Sequence, residues 1–150
     1  FRMSTTVGDL LRIKGNKVET ITAAETILEA IRRMGDKHIG CLAVVTKTGK
    51  LSGIVSERDC LWKVIAAGQS PRKALVKEAM TPLAQMKTMV PAQTVEECME
   101  LMTTRRHRHL PVLVDGKLAG LISIGNVVKS LIDSQQATIQ SLEKYITGSL

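Results

Sequence analysis

Aromatic residues are nearly missing from this chain: Phe1, Trp62 and Tyr145 are the whole set among 150 residues. That removes the stacking platform on which single-stranded nucleic acids are held, so contact with a polyanion would rest on phosphates alone. Cysteine is also scarce. Cys41, Cys60 and Cys98 are odd in number and widely spaced, each within an apolar periodic segment; they read as small buried hydrophobes, not as a disulfide frame or metal cluster. No apolar run approaches the roughly 18 residues needed to cross a bilayer, and the N-terminus lacks a secretory h-region. The expectation is a soluble, intracellular protein with no membrane partner. The opening Phe1-Arg2-Met3 fits either a native start at Met3 or a sequence that continues upstream. Catalytic constellations are missing too: no carboxylates paired across a plausible cleft, no nucleophile beside a base and no metal set. His107 and His109 would share a strand face, but no third ligand has suitable spacing, so neither a metal site nor an enzyme is expected.

What the chain does have is a net charge of +7. The cations are spread along its length, and the one dense cluster is Arg105-Arg106-His107-Arg108-His109. Such a cluster suits phosphates. It also raises an alternative function, a basic accessory protein binding nucleic acid through phosphate contacts.

The most informative stretch is Gly53-Ile54-Val55-Ser56-Glu57-Arg58-Asp59, which returns altered as Gly120-Leu121-Ile122-Ser123-Ile124-Gly125-Asn126. In both, a β-branched run ends at Ser, and three residues later an Asp or Asn precedes a helical pattern. This is a strand entering a helix N-terminus, where a hydroxyl, free N–H groups and the helix dipole converge. Ser and Asp at such spacing also serve as plain helix caps. Around these loops the chain repeats itself. Thr26 and Thr94, Met34 and Met102, and Val44 and Val112 are each 68 residues apart, and Val7-Gly8-Asp9-Leu10-Leu11 returns 69 residues on as Val76-Lys77-Glu78-Ala79-Met80. A repeat in register over this distance signals duplication of one unit. Periodicity gives each unit the order β-α-β-β-α: strand at 18–22, helix at 23–34, hairpin around Thr48-Gly49-Lys50 and a helix from about Asp59. The second unit has its strand at 86–90, helix at 95–104, hairpin around Asp115-Gly116 and a helix from about Asn126. Module 1 is set at residues 7–70, module 2 at 76–133, with the polar segment Gln69-Ser70-Pro71-Arg72-Lys73 between them. The fold class is α+β (mixed α/β), with the apolar faces of two three-stranded units buried as a pseudo-two-fold pair. Trp62 reads as core or interface and Tyr145 as packing. A helical tail at 134–150 carries Ile132, Ile139 and Ile146 seven apart, with Gln135, Leu142 and Ser149 between them. That is a narrow apolar seam suited to a homodimer.

Two β-α-β-β-α copies, each ending in Gly-apolar-apolar-Ser-x-x-(Asp/Asn), with Arg108-His109-Leu110-Pro111-Val112 before the second hairpin, resemble a tandem pair of CBS modules. The resemblance spans about residues 7–133 and looks like the stand-alone pairs of bacteria and plant organelles. It implies a cytoplasmic or organelle-matrix regulatory protein that acts on another protein. It further implies two clefts for an adenosine ligand (AMP, ADP, ATP or NAD(H), with S-adenosylmethionine ranked lower). In the first cleft the resemblance implies adenine among Val18, Glu19, Ile39, Gly40, Cys41 and Ile54, phosphate near Ser56 and Arg58, and ribose on Asp59. The second would use Met86, Lys87, His107, Arg108, His109, Leu121, Ser123 and Asn126. Asn126 offers one neutral acceptor where Asp offers two anionic oxygens, so the first site is expected to be the stronger, and Asn126→Asp to tighten the second.

Overall fold

Apolar β-branched runs form a hairpin at each predicted place. The computed structural model describes residues 5–15, 17–105 and 107–147. Strands β2 (Cys41–Val45) and β3 (Leu51–Ser56) pair antiparallel, as do β5 (His109–Val114) and β6 (Lys117–Ser123). Both hairpins break register at the same point of the repeat, between Val44 and Val45 and between Val112 and Leu113. The second turn holds Asp115 and Gly116 at φ 52° and 77°, the left-handed pair that a two-residue hairpin requires. Helix α2 (Ile27–Lys37) begins at Thr26, whose hydroxyl accepts from the Glu29 N–H, and buries Ile27, Ala30 and Met34. Its counterpart α5 (Val95–Arg105) buries Val95, Cys98 and Met102.

The first sheet has four strands. β1 (Thr20–Ile21) runs parallel to β2, and β4 (Thr81–Pro82) is added beside β3. In the second, the strand expected at 86–90 is reduced to one bridge from Met89 to Val112. Residues 83–85 form a 3-10 turn that delays extension, and Pro91 has no N–H to continue the ladder.

The two lead-in segments cross over. Helix α1 (Val7–Lys14) hydrogen-bonds to the second half, Val7 N to Gln93 O at 2.8 Å and Gly8 N to Pro91 O at 2.9 Å. Val7, Leu10 and Leu11 pack with Met89, Val95, Leu110 and Ile122. Conversely α4 (Val76–Ala79) docks on the first half, Val76 N to Glu25 O at 2.8 Å, and buries Val76 and Ala79 with Ile21, Leu42 and Val55. Each core is thus completed by a segment of the other repeat. A third, smaller cluster of Cys41, Ile54 and Met86, flanked by Leu83 and Leu121, joins the halves.

The loop of interest leads from β3 into α3 (Glu57–Cys60) and a π-helical turn, Leu61–Ile65, which buries Val64 and leaves Trp62 63% exposed. Trp62 is therefore not core. Helix α6 (Ile124–Thr147) continues past the second repeat as one helix. Arg106 and Ser149, and the side chains of Tyr145 and Ile146, lie outside the described residues.

Candidate functional site: a cleft between the two halves

Ser56 is extended (φ −115°, ψ 166°), and its hydroxyl accepts from the Asp59 N–H at 3.2 Å. One carboxylate oxygen of Asp59, Oδ2, accepts in return from the Ser56 N–H at 3.0 Å and the Ser56 hydroxyl at 3.1 Å. This is a reciprocal capping box. The other oxygen, Oδ1, is left for a cation, Lys63 Nζ at 3.1 Å. Ser123 and Asn126 repeat the box at matching distances: Asn126 N to Ser123 Oγ is 3.2 Å, and both Ser123 donors reach Asn126 Oδ1 at 2.9 Å. Of the two readings of the motif, the helix cap is present in both loops. Only the aspartate has a second anionic oxygen beyond the cap.

The Asp59 loop faces a cleft of about 560 Å³, within the range that takes a nucleotide-sized molecule. From the first half come Gly40, Ile54, Ser56, Glu57, Arg58 and Asp59; from the connecting segment, Thr81 and Met86; from the second half, Met102, Thr103, His107, Arg108, His109 and Ile124. The cleft thus has apolar walls at Ile54, Met86, Met102 and Ile124, two carboxylates, Glu57 and Asp59, and basic groups from both repeats. Within each half one backbone bond ties the loop to the entry of its hairpin. Glu57 N donates to Gly40 O at 3.0 Å, and its repeat partner Ile124 N donates to Arg108 O at 2.8 Å.

This grouping redistributes the residues expected from sequence. Met86, His107, Arg108 and His109, assigned to the second slot, share the cleft with Asp59. Ile39 packs against the first core, while Cys41 and Leu121 belong to the cluster between halves. Val18 is half-buried; Glu19 lies 3.8 Å from Lys17 and 3.9 Å from Lys37; Lys87 is exposed. Ser123 and Asn126 stand together with Lys14. Glu57, Thr81, Met102, Thr103 and Ile124 were not foreseen. Glu57 and Ile124 follow the two motif serines directly and could have been; the other three come near only through helix and sheet packing.

His109 is mostly withdrawn from water, and a side chain on Gly40 would begin 4.0 Å from its ring. Burial, then the cations Lys14 and Arg108 against the opposing Asp59, push its pKa from 6.5 down to about 4. The imidazole is neutral at pH 7. Because the unfolded chain takes up this proton first as pH falls, the stability His109 supports is full above about 6.5 and lost toward about 4, by up to about 3 kcal/mol. Urea unfolding at pH 7 and pH 5 should show this loss, and His109→Gln should reduce it; an unchanged loss in the variant would assign it to other groups. The thiols are inert by comparison, since burial pushes Cys41 up to about 12 and Cys60 and Cys98 up to about 11. Among the described residues no group of three or more His, Cys, Asp or Glu is placed to hold a metal ion, and no helix is long and apolar enough to cross a membrane.

Comparison with known proteins agrees with this architecture. The chain is similar to the mitochondrial CBS domain-containing protein CBSX3 of Arabidopsis thaliana, 36% identical over 97% of this chain and 73% of that protein. It is 30% identical to the longer Arabidopsis protein CBSCBSPB2, covering 75% of this chain but only 21% of that one. A solved structure from Burkholderia ambifaria MC40-6, described as a signal-transduction protein with CBS domains, superposes with a TM-score of 0.82 at 43% identity. The match covers 87% of this chain and 96% of that one. The CBS domain model matches twice, at residues 7–65 and 76–133. The chain therefore belongs to the CBS-domain family, as a tandem pair of its regulatory, generally ligand-binding modules.

Proposed function

We propose that this chain is a non-enzymatic sensor that binds an adenosine-containing ligand in the Asp59 cleft and passes its ligand state to a protein partner. The observation that carries this reading is the convergence in one cleft of Asp59 with Arg58, His107 and Arg108, drawn from both halves. A carboxylate oxygen beyond the cap accepts ribose hydroxyls, the apolar walls receive the base, and the basic rim receives phosphate. AMP, ADP, ATP or NAD(H) meets all three conditions. S-adenosylmethionine ranks lower because it brings no phosphate to the rim. A ligand bridging two halves changes their relative placement, which is how occupancy reaches a partner.

A thermal-shift series with AMP, ADP, ATP, NADH and S-adenosylmethionine tests the reading. A ligand at about 100 times its dissociation constant stabilises by about 2.7 kcal/mol, which for a chain of this size raises Tm by about 5 °C or more. No shift with any of the five would overturn it. Retention of RNA or DNA that is lost steeply with salt, with no response to nucleotide, would instead favour the nucleic-acid alternative.

The partner proposed for the tail is a second copy. Along α6, Val128, Ile132, Ile139 and Leu142 are 46–56% exposed and stand, with Gln135, at alternating spacings of four and three, the a/d seam of a coiled coil. Sedimentation should show a dimer that Ile139→Lys dissociates; a monomeric parent protein would refute it. A cytoplasmic or organelle-matrix setting is proposed, in keeping with the mitochondrial relative.

A further inference from the structure

The second capping loop already has an occupant. Lys14, in the last turn of α1, reaches across the chain and places its Nζ 2.9 Å from Asn126 Oδ1 and 2.5 Å from Leu121 O. With the two Ser123 donors at 2.9 Å, Asn126 Oδ1 then accepts three hydrogen bonds, one more than its lone pairs. No acceptor capacity is left there for a ribose hydroxyl. Lys14 is solvent-exposed, and its ammonium acts electrostatically on both Cys41 and His109, one from each half.

The first cleft is built differently at both matching positions. Asn126 answers to Asp59. Lys14 answers, at the 69-residue spacing of the lead-ins, to Leu83, which is apolar and packs beside Ile54 and Met86. The two differences belong together: where the loop keeps a carboxylate the lead-in delivers a leucine, and where the loop has a neutral amide the lead-in delivers an ammonium. The crossover of α1 onto the second half carries Lys14 there.

We infer that Lys14 is a tethered occupant of the Asn126 cleft, holding the position of a ligand hydroxyl, so that each chain takes one adenosine ligand and not two. The ligand class rests on the function proposed above; the masking by Lys14 does not. Asn126→Asp alone is then expected to pair with Lys14 and hold the cleft shut, contrary to what the sequence suggests.

Isothermal titration with ATP and with AMP tests this on the full chain as the parent protein, Lys14→Ala, Lys14→Met, Asp59→Asn and the double variant Asp59→Asn/Lys14→Ala. The parent should bind one ligand per chain and Asp59→Asn should bind at least about tenfold more weakly. Both Lys14 variants should bind a second, weaker ligand, and the double variant should bind through the Asn126 loop at that weaker affinity. Lys14→Met keeps the aliphatic stem, so agreement of the two variants, with unchanged melting temperatures, separates loss of the ammonium from loss of packing. Two sites in the parent, or one Asp59-dependent site in every Lys14 variant, would overturn the inference and leave the proposed function standing. No binding by the parent but one site in the Lys14 variants would do the reverse. No binding in any form would overturn both.

Discussion

Gly53→Ala will destabilise the fold far more than the same change at its repeat partner Gly120. A methyl group on Gly53 would lie 2.2 Å from the Thr81 carbonyl oxygen and 3.1 Å from Pro82 Cα, both backbone atoms of the strand paired against it. Neither can move without parting β4 from β3. At Gly120 the nearest atom is Leu11 Cδ2 at 2.4 Å, the end of a side chain that can turn aside. Overpacking against fixed backbone is expected to cost about 2–4 kcal/mol, and against a movable leucine under about 1.5 kcal/mol, part of it offset by the lower entropy of the unfolded alanine chain. In a chain of this size the gap amounts to roughly 5 °C in Tm. Thermal unfolding of the two variants side by side measures it; equal losses would show that β4 yields as readily as Leu11. Both glycines come from one ancestral position, and only the neighbour brought by the crossover distinguishes them.

Asp59→Asn will weaken adenosine binding while leaving the helix start intact. The protein contains its own control, because Asn126 closes the same box with the same geometry. The asparagine keeps Ser56 capped, so the stability loss should be limited to the pair with Lys63, whose lysine end is exposed, about 1 kcal/mol. What it removes is the second anionic oxygen. Charge-assisted hydrogen bonds contribute about 1.5–3 kcal/mol each, so the dissociation constant should rise by at least about tenfold. Asp59→Ala should lose both affinity and the cap, the latter about 1 kcal/mol. Titration with nucleotide and urea unfolding of both variants separate the two roles; full affinity in Asp59→Asn would remove Asp59 from the ligand contacts. A protein that used the loop only as a cap would tolerate asparagine there without consequence, as its own second half does structurally.

Much of this was legible in the chain. The hairpins, the glycine and aspartate turn signals, the serine caps and the continuation of α6 past the second repeat follow from local preferences that act over a few residues. The register of the duplication then fixed which features correspond. The reduced strand at Met89 was not legible, since the alternation at 86–90 satisfies a strand while Pro91 and the preceding 3-10 turn deny it a ladder. Nor was the membership of the cleft: His107, Arg108 and His109 carry a motif that points to their own half, yet their side chains complete a cavity begun by Asp59.

The sequence by itself determined that two like units exist, that each ends a strand at a capped helix, and that Asp59 and Asn126 make them unequal. Only the tertiary structure decided which lead-in serves which core, and hence that Lys14 meets Asn126, that Leu83 stands on the side of Asp59, and that Gly53 faces backbone while Gly120 faces a leucine. The reason is range. Capping and strand pairing involve neighbours a few residues apart, whereas Lys14 and Asn126 are 112 residues apart, and a contact at that separation leaves no period or spacing in the sequence to read.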